Sequence, residues 1–226
     1  MFECFRGGAG EVLKRPDYLE DFGRFYASDI RLLAKIERGQ TFKEQGSPSW
    51  DAFATGDWTG ALRLIEAERD SVAAYFQDAA RRGLAFRRLR IVEFPVTPYL
   101  QWELNSFRLR SELGEEIRVL DAREIADLER DGPLPEVVVL GNAVMYAVIY
   151  DEKLKGAGAR RFIDPGQIAT TVGEFESLYR KGEEFSEFFE REIAPLGPPT
   201  AVSQRATASG GSRIHQAGGD LRSTER

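Results

Sequence analysis

Between Phe86 and Phe94 the hydrophobic pattern of this chain changes period. Before Gly83 apolar residues recur every three or four positions, whereas in FRRLRIVEF the residues Phe86, Arg88, Arg90, Val92 and Phe94 alternate with Arg87, Leu89, Ile91 and Glu93. That alternation is the repeat of a β-strand. Pro95 ends it, and Thr97-Pro98 then supplies an N-cap and a first-turn proline for a helix. The strand face that carries Phe86, Val92 and Phe94 also carries Arg88 and Arg90. Any fold built on it must place two guanidinium groups among apolar side chains.

The segments on either side of this switch set the expected class, an α/β (α+β) protein with an N-terminal helical layer, a mixed sheet with a hairpin, and flanking helices. Residues 1–15 lack a packing pattern and are expected to be a flexible leader. Pro16 opens a helix whose stripe is Leu19, Phe22, Tyr26, Ile30, Leu33 and Ile36, with Gly39 as its stop. Pro48 nucleates a short helical turn that closes near Gly56. Asp57 caps a long helix bearing Trp58, Leu62, Ile65, Val72, Phe76 and Ala79, with a partial break at Arg69 and a stop at Gly83.

After the strand, a helix from Pro98 to Leu113 carries Leu100, Leu104 and Phe107. Ile117–Leu120 follows as a short strand and Ala122–Arg130 as a helix facing inward through Ile125 and Leu128. Gly141-Asn142 between VVVL and VMYAVIY is a tight-turn dipeptide, so Val137–Leu140 and Val144–Tyr150 are expected to pair antiparallel. A strand at Arg160–Ile163, a helix capped by Asp164-Pro165, and a last helix bearing Phe185, Phe188, Phe189 and Ile193 complete a single globular domain over 16–194. Its helical part spans 16–83 and its sheet-containing part 84–194. Residues 195–226, rich in Gly, Ser and Arg without periodicity, are expected to be a disordered tail.

Charge and residue usage remove several functions. The net charge is −6, and because the tail holds four arginines against Asp220 and Glu225, the body carries −8. Such a domain is poorly suited to neutralising phosphates, so direct nucleic-acid binding is not expected. One cysteine, Cys4, and one histidine, His215, leave no thiolate or imidazole zinc site and no Cys-His or Ser-His-Asp catalysis; no cofactor is expected. The absence of a disulfide pair and of an apolar leader segment points to the cytoplasm, and no apolar run is long enough to span a bilayer. Gly8–Lys14 and Lys155–Arg160 lack the spacing of a phosphate loop.

The candidate site is a cluster around the switch. A helix returning over the strand brings Glu103 to Arg88 or Arg90, and a buried carboxylate requires a partner. One outcome is an ion-paired latch between strand and helix. The other is an arginine pair lining a pocket for a small anionic ligand, with Tyr99 and Trp102 as its apolar wall. Glu115 and Glu116 are read as solvated surface. Trp50 and Trp58 are either loop anchors or an exposed aromatic patch for a protein partner.

FRRLRIVEFPVTPYLQWEL, GEEIRVLDA, LPEVVVLG and RRFIDP together resemble an uncharacterised family of domain-of-unknown-function proteins of actinobacteria, over roughly residues 18–193. That resemblance implies association with helix-turn-helix regulators. The C-terminal half is similar to a degenerate phospholipase D-like domain, which implies a phosphodiester-binding ancestry. Laid on this chain, the His, Lys and Asp of that family's motif fall on Leu134, Glu136 and Gly141, so the hydrolytic chemistry is lost. The expected function is therefore that of a non-catalytic binding or regulatory accessory protein, acting through a protein partner or a small anion. The alternative is an enzyme for a phosphate-containing substrate with Glu103 as general base and an arginine clamp.

Overall fold

Strand β3 (Ala85–Val92) lies in the interior of a mixed sheet, and the computed structural model describes the chain over residues 1–199 apart from Gly7 and Gln45. The other strands are β1 (Glu11–Lys14), β2 (Leu32–Glu37), β4 (Glu116–Asp121), β5 (Val137–Leu140), β6 (Val144–Tyr150), β7 (Gly156–Phe162) and β8 (Glu183–Glu184). The described residues form an eight-stranded sheet in the order β1-β7-β6-β5-β2-β3-β4-β8. Its centre, β2, β3 and β4, is parallel, and every other pairing is antiparallel.

Parallel neighbours need crossover helices. Between β2 and β3 run α2 (Pro48–Ala54), α3 (Trp58–Ala67) and α4 (Arg69–Arg81), and between β3 and β4 runs α5 (Pro98–Glu112). These pack on one face of the sheet together with α1 (Arg15–Tyr26) and α7 (Phe185–Phe188), in a core that includes Phe22, Ile65, Phe76, Phe86, Leu104 and Phe185. The opposite face is covered by α6 (Pro165–Tyr179), by a 3-10 segment at Ala122–Leu128 and by the N-terminal residues. Its core includes Phe2, Leu89, Ile91, Ile125, Phe162 and Phe175. Burial on both faces explains the continuous apolar run of β5 and the unbroken burial of β3 from Arg88 to Val92.

Local signals act where the sequence places them. The side chains of Ser47, Asp57, Thr97 and Asp164 accept hydrogen bonds from the N–H groups of Trp50, Gly60, Leu100 and Gln167, capping α2, α3, α5 and α6. The β5–β6 hairpin turns at Gly141, with φ 58°, and pairs Leu140 with Val144. Within Lys155–Arg160, Gly158 serves packing: a Cβ there would overlap the Leu13 carbonyl oxygen of the adjoining β1.

Several expectations are corrected. The helix read from Pro16 to Gly39 ends at Tyr26, and Leu33 and Ile36 belong to β2; their i, i+3 spacing is compatible with a strand buried on both faces. The segment 16–83 therefore contributes a central strand of the sheet as well as helices. The long helix from Asp57 divides at Glu68 into α3 and α4. Ala122–Leu128 is 3-10, β7 begins at Gly156, and the last helix continues as a π turn over Phe189–Ile193. Residues 1–15 are not an unpacked leader. Phe2 is 1% exposed, its N–H donates to Glu174 at 2.6 Å, and β1 pairs with β7. Of the tail read as disordered, everything beyond Pro199 lies outside the described residues.

Burial of Phe2 makes a direct prediction. Phe2→Ala is expected to lower stability by about 3 kcal/mol, as for a large core aromatic; urea unfolding of the full chain measures it, and a loss within ~0.5 kcal/mol would contradict this packing.

Candidate functional site

A layer of charge lies inside the protein, between the centre of the sheet and α5. Register creates it. In the parallel pair, Lys35 stands beside Arg88 and Glu37 beside Arg90, so four charged side chains of β2 and β3 point to one face. Glu136, which immediately precedes β5, joins them on the β5 side. From above, α5 lowers Tyr99, Glu103 and Phe107, spaced four apart and therefore on one stripe.

Arg90 is fully buried. Its Nε donates to Glu103 Oε2 at 2.8 Å, its Nη1 to the carbonyls of Glu37 at 2.9 Å and Ile91 at 3.2 Å, and its Nη2 to the Gly39 carbonyl. Arg88 donates from Nε to Glu115 at 2.8 Å and from Nη1 to Glu37 at 2.5 Å, and its guanidinium lies 4.3 Å from the centre of the Phe107 ring. Glu115 also accepts from Arg110, and Lys35 Nζ is 2.7 Å from Glu37. Glu115 is thus a buried partner, against the expectation of solvated surface; only Glu116 is exposed, pairing with Arg87 at 3.0 Å.

The structure therefore joins Arg90 to Glu103, and Tyr99 adds a hydrogen bond to Glu103 at 2.9 Å. Trp102, on the next face of α5, donates to Ser49 at 2.9 Å and packs against Trp50, with ring centres 5.4 Å apart. Trp50 and Trp58 are both partly buried against Phe53. This places the two tryptophans with the α2–α5 core and apart from the arginines' polar contacts. Two contributors were invisible from sequence: Glu44, whose carboxylate is 2.6 Å from the Tyr99 hydroxyl, and Gln40, which donates to the Ile91 carbonyl and accepts from the Glu93 N–H.

Burial and pairing oppose each other across the layer. Burial pushes the Glu37 carboxyl up, but Arg88, Lys35 and Arg90 together hold it well below the usual range. Glu115 is likewise desolvated and nevertheless held low by Arg110 and Arg88. At Glu103 desolvation outweighs Arg90 and the pKa is raised. Glu136 is pushed up to about 8 by burial and by Glu37, although the N–H groups of Arg38 and Gly39 donate to it. A buried acid–base function is therefore chemically available, while the arginine donors are already engaged. Among the described residues no group of three or more His, Cys, Asp or Glu could hold a metal ion, and no helix is long and apolar enough to cross a membrane.

A second feature lies at the carboxyl ends of β3 and β4. A cleft of about 580 Å³ is lined by Phe94, Asp121, Arg123, Glu124, Lys181 and Phe188, among others. Phe94, on the turn after β3, is 43% exposed, with its ring 6.3 Å from that of Phe188.

Comparison with known families matches a domain of unknown function, DUF6879, over residues 20–190. The chain belongs to this family. A comparison with curated proteins finds no match. The matched span contains β2 to β8 and therefore the whole charged layer, whereas β1 and the packed Phe2 precede it.

Two predictions follow from the layer. Arg90→Ala leaves Glu103 buried without its cation and should cost about 3–5 kcal/mol, and Arg90→Lys should not restore it, because an ammonium cannot reproduce the guanidinium fork; denaturant unfolding of both variants tests this. For pH, Glu37 and Glu115 have lowered folded-state values, so their contribution is present above the ordinary carboxylate range and lost as pH falls. Glu136 is raised, so its contribution is complete at low pH and lost as pH rises through about 8. The melting temperature should therefore decline in strong acid and again as pH rises from the ordinary carboxylate range to about 8, and Glu136→Gln should reduce the second decline only.

Proposed function

We propose that this DUF6879 protein is a non-catalytic cytoplasmic accessory protein that docks a protein partner at the cleft beside Phe94. The observation that carries the reading is the exposed Phe94 ring on Phe188, at the carboxyl edge of parallel strands where open α/β sheets commonly place their sites. The engagement of Arg88 and Arg90 with internal acceptors favours this over an anion pocket built from those arginines. A body of net charge −8 suits a basic partner, which is the electrostatic character of a helix-turn-helix regulator. The succession of β4, a short helical segment, the β5–β6 hairpin, β7 and α6 supports descent from a phospholipase D-like half. In that alignment, buried Glu136 stands where a lysine would bind phosphate, which supports loss of hydrolysis.

The test is co-expression with a helix-turn-helix regulator from the same genome, followed by size-exclusion chromatography. Co-elution lost in Phe94→Asp, with an unchanged melting temperature, is the expected result. Co-elution that survives in Phe94→Asp would overturn the docking site.

A second reading, an enzyme with Glu103 as base, is favoured by the raised pKa of the Glu103 and Glu136 carboxyls. It requires turnover of a phosphodiester such as bis(p-nitrophenyl) phosphate that disappears in Glu103→Gln. The expected result is no turnover by the native protein.

A further inference from the structure

The hydroxyl of Tyr99 lies 2.6 Å from Glu44 Oε1 and 2.9 Å from Glu103 Oε1. A phenol has one hydrogen and can donate it to one acceptor. If both carboxyls were ionised, one of these contacts would set a lone pair against a lone pair inside the protein. Both contacts are satisfied only when one carboxyl carries a proton and donates it to the tyrosine oxygen.

The neighbours decide which one. Glu103 Oε2 accepts from Arg90 Nε at 2.8 Å, so Glu103 is the partner held as an anion. Among the described residues no cation forms a salt bridge with Glu44. The groups that act on it are Tyr99 and Glu103 from α5, and Glu37 and Lys35 from β2; Tyr150 of β6 acts on Tyr99, and Arg90 of β3 lies behind Glu103. The chain of donors then runs from the Glu44 acid to Tyr99, from Tyr99 to Glu103, and from Arg90 to Glu103.

Glu44 belongs to the stretch that leaves β2 and passes beneath the aromatic cluster. Its neighbour Phe42 stacks on Tyr150, with ring centres 4.9 Å apart, and meets Tyr99 edge-on at 5.2 Å. Tyr99 in turn touches Trp50 and Trp102, each with ring centres 5.7 Å away. We propose that Glu44, Tyr99 and Glu103 share one proton beyond the tyrosine's own, that this proton fastens residues 42–44 to α5, and that losing it loosens the aromatic cluster, making it a pH-responsive joint. Burial, with Glu103 and Glu37 nearby, raises the Glu44 acid to about 7, against an ordinary value of 4.5. A raised acid is stabilising while protonated, so the joint is complete at acidic pH and lost as pH rises through about 7.

The experiment is a titration of intrinsic tryptophan fluorescence in the full chain between about pH 5 and 9, alongside Glu44→Gln and Glu136→Gln. The native protein should show a transition centred near 7. Glu44→Gln, which cannot ionise, should abolish it, and Glu136→Gln should leave its midpoint in place. A flat native profile, the same midpoint in Glu44→Gln, or loss of the transition in Glu136→Gln instead would overturn the proposal. The carbon-13 shift of the Glu44 side-chain carboxyl in the native protein provides a test independent of variant folding. Titration near 7 supports the shared proton, and titration near 4.5 refutes it.

Discussion

A guanidinium with no contact to water sits on a central strand of this protein, and the arrangement around it follows from the need to satisfy its donors. Arg90 spends them on a carboxylate from α5 and on the carbonyls of Glu37, Gly39 and Ile91. Two of those carbonyls belong to the end of β2 and the residues that leave it. The arginine therefore continues the polar pairing of the parallel strands past the point where the backbone ladder ends, and fixes where the chain turns away. Because a buried ion pair gains little net stability over a well-packed apolar core, its value lies in specificity. Here it locks α5 in one position along β3, which sets the packing of Phe107 and Trp102 and, through Trp102, the seat of α2.

The same constraint governs electrostatics. Glu37 is shared by Lys35 and Arg88, Glu115 by Arg88 and Arg110, and each sharing holds a carboxylate ionised in a dry environment. Glu136 and Glu44 feel one cation of that core each, Arg90 and Lys35, too little to offset burial, and take the opposite direction. One layer thus contains carboxyl groups displaced both ways: those bonded to two cations, Glu37 and Glu115, are held low, while Glu103, bonded to Arg90 alone, is raised by burial. The arrangement explains how a protein with one histidine, outside the described residues, can still contain groups that change charge near neutrality.

Much of this was legible from residue order. N-caps at Asp57, Thr97 and Asp164 and the Gly141-Asn142 turn are local rules, satisfied by residues within a few positions of each other, and they survive folding unchanged. Strand alternation put Arg88 and Arg90 on one face, and the return of a helix brought Glu103 within reach. What escaped depends on pairing between distant segments. LLAKIE reads as helix because Leu33 and Ile36, on opposite faces of a strand buried on both sides, fall at helical spacing with Tyr26 and Ile30. Glu115 looked solvated because its partners stand on β3 and α5, and nothing local marks Glu44 as the neighbour of Tyr99. Residues 1–15 carried no periodic pattern because their order comes from β7 and α6, far along the chain.

That last pairing has a consequence for synthesis. Val12 meets Arg160 across the sheet, and the amide of Phe2 meets Glu174. Residues 2–14 therefore leave the ribosome well before the partners that order them. At ~5–20 residues per second, β1 waits roughly seven to thirty seconds for its neighbour to emerge. Throughout that interval Phe2 and Phe5 are exposed to solvent or to chaperones. The parallel centre, whose strands follow one another in order, can assemble meanwhile, so β1 closes a domain that the middle of the chain has already begun.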